Sequence, residues 1–311
     1  MKIYIKLKTV CFLGIGLLGI TTEINAQQNP EYTQYMYNTM TINSGYTGSV
    51  GTLEAVVLHR SQWVGIDGAP RTQSFTLHTP LVNDKVGLGL SVVNDQLGPS
   101  NEFNIDGNFS YTLKFAENRR LAFGIKAGMR KLDVDWTKGI YRDETDILLN
   151  SNISNEIKPS VGAGLYYYAE KWYVGASVPN FIRGNYYDDI QESINIDRLH
   201  YYLIGGYVFD FSEGLKFKPA FLAKAVSGAP LYYNVSLNFL IQEKLTLGAS
   251  YQFDDSMSAL AGFQISDSFF VGYSYDYTTT ELNKYNDGSH EIILRYQLQK
   301  KSSQIKSPRF Y

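Results

Sequence analysis

Cysteine is nearly absent from this chain. Its 311 residues include one, Cys11, so no disulfide framework can support the fold. Neither sign of charge dominates: 28 basic against 30 acidic side chains leave a net charge of -2, without the basic field that nucleic-acid binding requires. Histidine is scarce, at four residues, His59, His78, His200 and His290, and none belongs to a metal-spaced pair such as HExxH. No GxSxG motif occurs, and no serine carries a local triad signature. Gly87-Leu-Gly89 and Gly162-Ala-Gly164 do not continue as a GxGxxG opening onto a helix, so no nucleotide loop is expected. Long apolar runs are missing as well. Val10 to Ile20 is too short to span a bilayer comfortably, and no other segment approaches a transmembrane helix. Any membrane residence must therefore come from strands.

Tyrosine (25) and glycine (27) are plentiful instead. From Leu215 to Leu298 apolar residues fall on every second position, segment after segment, with turns between. Leu231, Tyr233, Val235, Leu237 and Phe239 alternate with Tyr232, Asn234, Ser236 and Asn238. Ile292, Leu294, Tyr296 and Leu298 alternate with Glu291, Arg295 and Gln297. Period two over about 9–11 residues is what a transmembrane β-barrel requires, one face meeting lipid and the other water or a polar lumen. The mean hydropathy of -0.21 agrees, because barrel strands are apolar on one face only.

The alternation predicts fourteen strands, at about 52–62, 71–79, 85–94, 102–115, 120–134, 158–169, 171–178, 199–210, 215–226, 231–240, 244–253, 257–265, 269–277 and 290–298. The expected class is all-β: an antiparallel up-and-down transmembrane barrel with an even strand number. With both termini periplasmic, the odd-numbered connections face outward: Trp63–Pro70, Asp95–Asn101, Asp135–Ile157, Pro179–Arg198, Ser227–Pro230, Asp254–Ser256 and Thr278–Ser289. The even-numbered ones are all short, and every long one is odd. Outer-membrane barrels sort their loops this way, whereas a large soluble all-β protein, the competing reading, has no reason to.

Four regions follow. Residues 1–26 read as a signal peptide, with Lys2, Lys6 and Lys8 before the apolar run and Ala26 at the cut. Cys11 lies well before that cut, so the mature chain would lack cysteine. Residues 27–51 form an irregular amide- and tyrosine-rich segment, either a plug in the barrel mouth or a periplasmic contact site, with helical spacing at Tyr32, Tyr35 and Met36. Residues 52–298 are the barrel. Residues 299–311 are a basic periplasmic tail, either unstructured or docking to an acidic or peptidoglycan-bound partner.

Glycines within strands, such as Gly87, Gly89, Gly124 and Gly164, mark bulges, bends or close backbone approach. Tyr166, Tyr167, Tyr168, Trp172 and Tyr173 flank one turn, and Tyr201, Tyr202, Tyr232 and Tyr233 start other strands. Such amphipathic rings belong at the membrane–water boundary. The acidic clusters Asp143/Glu144/Asp146, Asp188-Asp189 and Asp254-Asp255 lie on outer loops without EF-hand spacing, so solvated loops are expected rather than calcium sites. No enzymatic centre, metal or cofactor is expected.

Particular motifs add to the periodicity. Asn29-Pro30, then Tyr32-Thr33-Gln34-Tyr35-Met36-Tyr37-Asn38, Asn43, Gly45-Tyr46 and Gly48, followed by Arg60-Ser-Gln62-Trp63-Val-Gly65 and Gly68-Ala69-Pro70, resemble the PorP/SprF family of type IX secretion system membrane proteins. Gly87-Leu-Gly89-Leu-Ser91-Val-Val-Asn94-Asp95 and Gly98-Pro99 continue the match; beyond residue 100 it is mainly architectural. The resemblance implies an outer-membrane barrel of the Bacteroidota without catalytic activity. Its partners would be outer-membrane lipids and a large secreted adhesin with a type B C-terminal domain, gliding adhesins included. A peptidoglycan-binding periplasmic lipoprotein and other type IX components are further partners it implies. Candidate contact residues are Tyr32, Tyr35, Met36, Tyr37, Asn38, Arg60, Gln62, Trp63, Lys300 and Lys301. The alternative function is a channel or transporter for small solutes, with Lys216, Lys218, Lys224 and Arg295 pointing inward.

Overall fold

The computed structural model describes residues 30–81, 84–116, 118–138, 152–182, 198–227 and 229–298. After a run of turns, a single-turn helix α1 (Thr39–Ile42) and a 3-10 turn η1 (Ser44–Tyr46) precede the strands. These are β1 (Glu54–Ser61), β2 (Arg71–Leu81), β3 (Val86–Leu97), β4 (Ser100–Ala116), β5 (Arg119–Val134), β6 (Ile153–Ala169), β7 (Trp172–Val178), β8 (His200–Tyr207), β9 (Phe209–Ser212), β10 (Leu215–Val226), β11 (Tyr232–Ile241), β12 (Leu245–Gln252), β13 (Ser256–Gln264), β14 (Phe269–Thr278) and β15 (Ser289–Gln297). Neighbours in sequence pair antiparallel, β1 pairs with β15, and β10 with β11, so the sheet closes without an edge. Among the described residues no helix is long and apolar enough to cross a membrane.

The closed sheet is a fourteen-stave antiparallel barrel. β8 and β9 form one stave, interrupted at Val208, and both pair with β10. The alternation expected over 199–210 therefore contains a break that periodicity does not reveal. A second difference concerns the third connection. β3 runs to Leu97 and β4 begins at Ser100, paired directly (Leu97↔Ser100), so the expected Asp95–Asn101 loop shrinks to Gly98 and Pro99. Polar Asp95, Gln96, Ser100, Asn101 and Glu102 hid the strands' outer ends.

All chain turns at the β1 N-terminal end of the barrel are short. The β11–β12 turn takes positive φ at both Gln242 and Glu243, with Lys244 N–H closing onto the Ile241 carbonyl at 3.1 Å, a backbone twist that suits a tight hairpin. The longer connections lie at the opposite rim. That rim is the outer one by the usual asymmetry of outer-membrane barrels.

Inside and outside alternate along each stave. On β2 the buried residues are Thr72, Ser74, Thr76 and His78, while Phe75 is exposed. On β11 Asn234, Ser236 and Asn238 are buried, while Val235, Leu237 and Phe239 face out. Aromatic belts flank this apolar band. At the short-turn end Phe217 packs on Phe239 (4.8 Å) and Phe269 on Tyr296 (4.9 Å); at the outer end Tyr251 packs on Phe253 (4.9 Å) and Phe253 on Tyr233 (5.3 Å).

Not all tyrosines follow the boundary expectation. Tyr167 and Trp172 pair at 4.9 Å near the short-turn end, but Tyr166, Tyr168, Tyr173 and Tyr202 are buried inside the barrel. Period two sends successive members of a tyrosine run to opposite faces. Only half of such a run can reach lipid.

Candidate functional site

The lumen is occupied by the chain's own N-terminal segment. Tyr35, Met36, Met40 and Tyr46 are each at most 3% exposed, although they precede the first strand and have no sheet of their own. The segment runs the length of the barrel. Glu31 meets Lys224 and Gln252, both near the outer ends of their strands. Asn38 donates to Ser74 Oγ at 3.0 Å, and Asn43 to the Leu165 carbonyl at 3.0 Å. Ser177 donates to the Ile42 carbonyl at 2.7 Å and Ser110 to that of Thr47 at 2.6 Å. Gly48 N–H reaches His78 Nδ1 at 3.2 Å, and the other ring nitrogen lies 3.2 Å from Glu54. At the short-turn end the segment joins β1, where Leu298 N–H bonds the Leu53 carbonyl at 2.9 Å.

A charged clamp holds the outer part. Glu291 accepts the N–H groups of Thr33 (3.0 Å) and Gln34 (2.8 Å), one on each carboxylate oxygen. Thr33 Oγ1 donates to Asp276 (2.8 Å) and accepts from Arg60 (2.8 Å). Arg60 also pairs with Asp276 and with Glu291 (3.3 Å). All three charged side chains are essentially buried. Such a group is tolerated only because every charge faces a partner and the carboxylates accept further hydrogen bonds.

Wall glycines receive the lower part. A Cβ on Gly124 would lie 2.1 Å from the Gly45 nitrogen, one on Gly87 2.3 Å from the Thr47 oxygen, and one on Gly164 2.1 Å from Asn43 Oδ1. These inward positions carry glycine because the segment passes where a side chain would stand, with its backbone at Gly87 and Gly124 and with the Asn43 side chain at Gly164. Aromatic packing completes the fill: Tyr46 sits edge-on to Tyr166 (5.3 Å), Tyr37 packs on Phe270 (5.0 Å), and the Arg295 guanidinium lies over Phe270 at 5.0 Å.

Six of the ten candidate contact residues thus converge in the lumen: Tyr32, Tyr35, Met36, Tyr37, Asn38 and Arg60 are all buried there, against the barrel wall. The helical spacing at Tyr32, Tyr35 and Met36 falls on a run of turns, and the α-helical turn of the segment comes later, at Thr39–Ile42, followed by η1. Gln62 and Trp63 sit at the outer rim, where Trp63 N–H bonds Ser289 Oγ at 3.1 Å. Lys300 and Lys301, the signal segment and most of the two longest loops lie outside the described residues. Of the four expected inward cations, Lys218, Lys224 and Arg295 are buried, while Lys216 pairs with Glu243 at a short turn (3.6 Å). His59 and His78 stand on opposite faces of the wall, so they form no joint site. Among the described residues no cluster of His, Cys, Asp and Glu could hold a metal ion.

Asp276 and Glu291 were not singled out from sequence. Each is one polar residue in an alternating strand, like dozens of others. A carboxylate at a lumen-facing position, recurring on neighbouring staves, was the signal available.

The family described as "Type IX secretion system membrane protein PorP/SprF" matches residues 24–296. No curated protein matches the chain. Solved structures similar to it include the CymD monoaromatic hydrocarbon channel (11% identity, TM-score 0.47, 93% of this chain and 97% of that one). Another is Omp33 of Acinetobacter baumannii (11% identity, TM-score 0.44, 80% and 100%), and a third a FadL homologue of Pseudomonas aeruginosa (12%, 0.43, 80% and 89%). Taken with the closed barrel and the buried segment, the match over nearly the whole chain makes this protein a member of the PorP/SprF family of type IX secretion system membrane proteins.

Proposed function

We propose that this protein is a non-catalytic outer-membrane partner of the type IX secretion system, which supports export or surface retention of a large adhesin with a type B C-terminal domain. One observation carries the choice of anchor over conduit: the lumen is filled by residues 30–51, clamped through Arg60, Asp276 and Glu291. A barrel packed in this way offers its rims to partners, not a path for solutes. The outer rim supplies the docking surface, with Gln62 and Trp63 on it and the connections that follow β5 and β7 opening from the same rim. Residues 1–26 are removed on export. The tail 299–311, with Lys300 and Lys301, faces the periplasm and a peptidoglycan-bound lipoprotein or other components of the machine. Tyr32, Tyr35, Met36, Tyr37, Asn38 and Arg60 shape the plug that keeps the outer rim in place.

Affinity capture of the tagged protein from mildly solubilised outer membranes, with mass spectrometry, tests this reading. A large secreted protein with a C-terminal sorting domain is the expected companion. Exchange of the two long outer loops for those of a paralogue should change which adhesin is held, and unchanged retention would count against outer-rim docking. A stable open pore in planar bilayers would favour the solute channel instead.

A further inference from the structure

The direction of the buried segment separates the two ends of the protein. Glu31 meets Lys224, two residues from the outer end of β10, and Gln252, the last residue of β12. Pro30, Glu31 and Tyr32 line a small hollow with Tyr202, Lys224 and Tyr232, all close to the outer ends of β8, β10 and β11. Thr33 and Gln34 are held by Asp276 and Glu291, each two residues from an outer strand end. Thr47 and Gly48 lie lower, against Ser110, Gly87 and Pro80, and Leu53 meets Leu298 at the short-turn end. The chain therefore descends the lumen from the outer mouth to the inner one before β1 begins.

We propose that the residues ahead of Pro30 leave the barrel through its outer mouth, so that the mature N-terminus is presented to the cell exterior among the outer loops. Of the two readings of 27–51 this keeps the plug and departs from the periplasmic contact site and from a periplasmic N-terminus, and it deepens the proposed function: the N-terminal residues join the surface offered to an extracellular protein, while the tail stays on the periplasmic side. It rests on that reading for the outer-membrane setting and for removal of residues 1–26. The physical reason is the clamp. Partial withdrawal to the inner side would strip Glu291 and Asp276 of the Thr33 and Gln34 groups in the lumen, leaving buried carboxylates short of donors.

Removal of residues 1–26 also removes Cys11, so single-cysteine variants of the otherwise unaltered protein report topology directly. Gln28→Cys, Lys284→Cys on the exposed outer 3-10 turn Glu281–Lys284, and Ser303→Cys in the tail are treated with a membrane-impermeant polyethylene-glycol maleimide in intact cells, and the gel shift is read. The expected result is a shift for Q28C and K284C in intact cells, and for S303C only after outer-membrane permeabilisation. Q28C shifting only after permeabilisation overturns the proposal, as does a shift only in denaturant. P30C, at the rim itself, gives an independent reading should Q28C fail to accumulate. Failure of the underlying reading looks different: unaltered protein that shifts has kept Cys11, and K284C behaving like S303C means the barrel is inverted.

Discussion

Arg60 and Asp276 meet at 2.6 Å although their strands are not neighbours: β15 stands between β1 and β14, and the guanidinium reaches across it on the lumen side. Arg60 is opposite Glu291 in the β1–β15 register, so one cation serves two carboxylates on successive staves. The seam between first and last strand, where the barrel closes, is therefore also where the segment is held.

Removal of the cation should be costly. In Arg60→Ala two buried carboxylates lose their counter-charge, an effect of about 3–5 kcal/mol for breaking a buried ion pair. The triple variant Arg60→Met/Asp276→Leu/Glu291→Leu removes the charges together and should be less damaging than Arg60→Ala alone. The temperature at which the folded, heat-modifiable band disappears on a gel ranks the two; equal loss would mean that charge balance is not what the clamp supplies.

Glycine at 124 should be irreplaceable. Its added Cβ would meet the backbone of Ser44 and Gly45, which cannot rotate away as a side chain could. Gly124→Val should cost more than the roughly 1–3 kcal/mol of ordinary overpacking, or else displace the segment. Displacement would appear as new single-channel events in planar bilayers against a silent parent. Gly107, whose Cβ would find its nearest neighbour at 3.7 Å, serves as control: Gly107→Ala should leave both readings unchanged.

The outer latch between Glu31 and Lys224 should show coupling. Both side chains are largely buried, and Lys224 also lies over the Tyr232 ring at 4.7 Å. A double-mutant cycle with Glu31→Gln and Lys224→Met should give an interaction of about 0.5–3 kcal/mol in urea unfolding from micelles or vesicles. A coupling near zero would mean that the outer end of the segment is held by Thr33 and Gln34 alone.

The lipid face makes a simpler demand. Leu237 faces outward at mid-strand on β11, with inward Ser236 beside it fully buried. Leu237→Arg should lower folding stability by about 2–4 kcal/mol in bilayers, and Leu237→Ile by under about 1.5 kcal/mol. Refolding into vesicles of short-chain lipid measures both, and an arginine tolerated as well as isoleucine would remove Leu237 from the hydrocarbon band.

The fold is legible in the alternation of the strands and the family in the motifs of residues 29–99. The alternation in β2 and in β10 to β15 fixes which face meets lipid, and the even set of staves with sorted loops defines a barrel. What periodicity missed, it missed for local reasons. Val208 breaks a stave without breaking the apolar pattern, and the outer ends of β3 and β4 are polar, so they looked like loop. The motif at residues 32–38 pointed to an important segment without saying where it lies, because a stretch without period has no face to assign.

By itself the sequence determined a membrane barrel, because period two without a long apolar helix leaves closed strands as the one way to satisfy the backbone in lipid, and the motifs within residues 29–99 carried the resemblance to the PorP/SprF family. Only the tertiary structure decided what fills that barrel. The closure of β1 on β15 brings Arg60 and Glu291 face to face and Asp276 alongside, and inward glycines on β3, β5 and β6 clear a path for residues 43–47. These contacts join residues far apart in the chain. No local pattern encodes them, because each depends on the register of strands that meet only when the sheet closes.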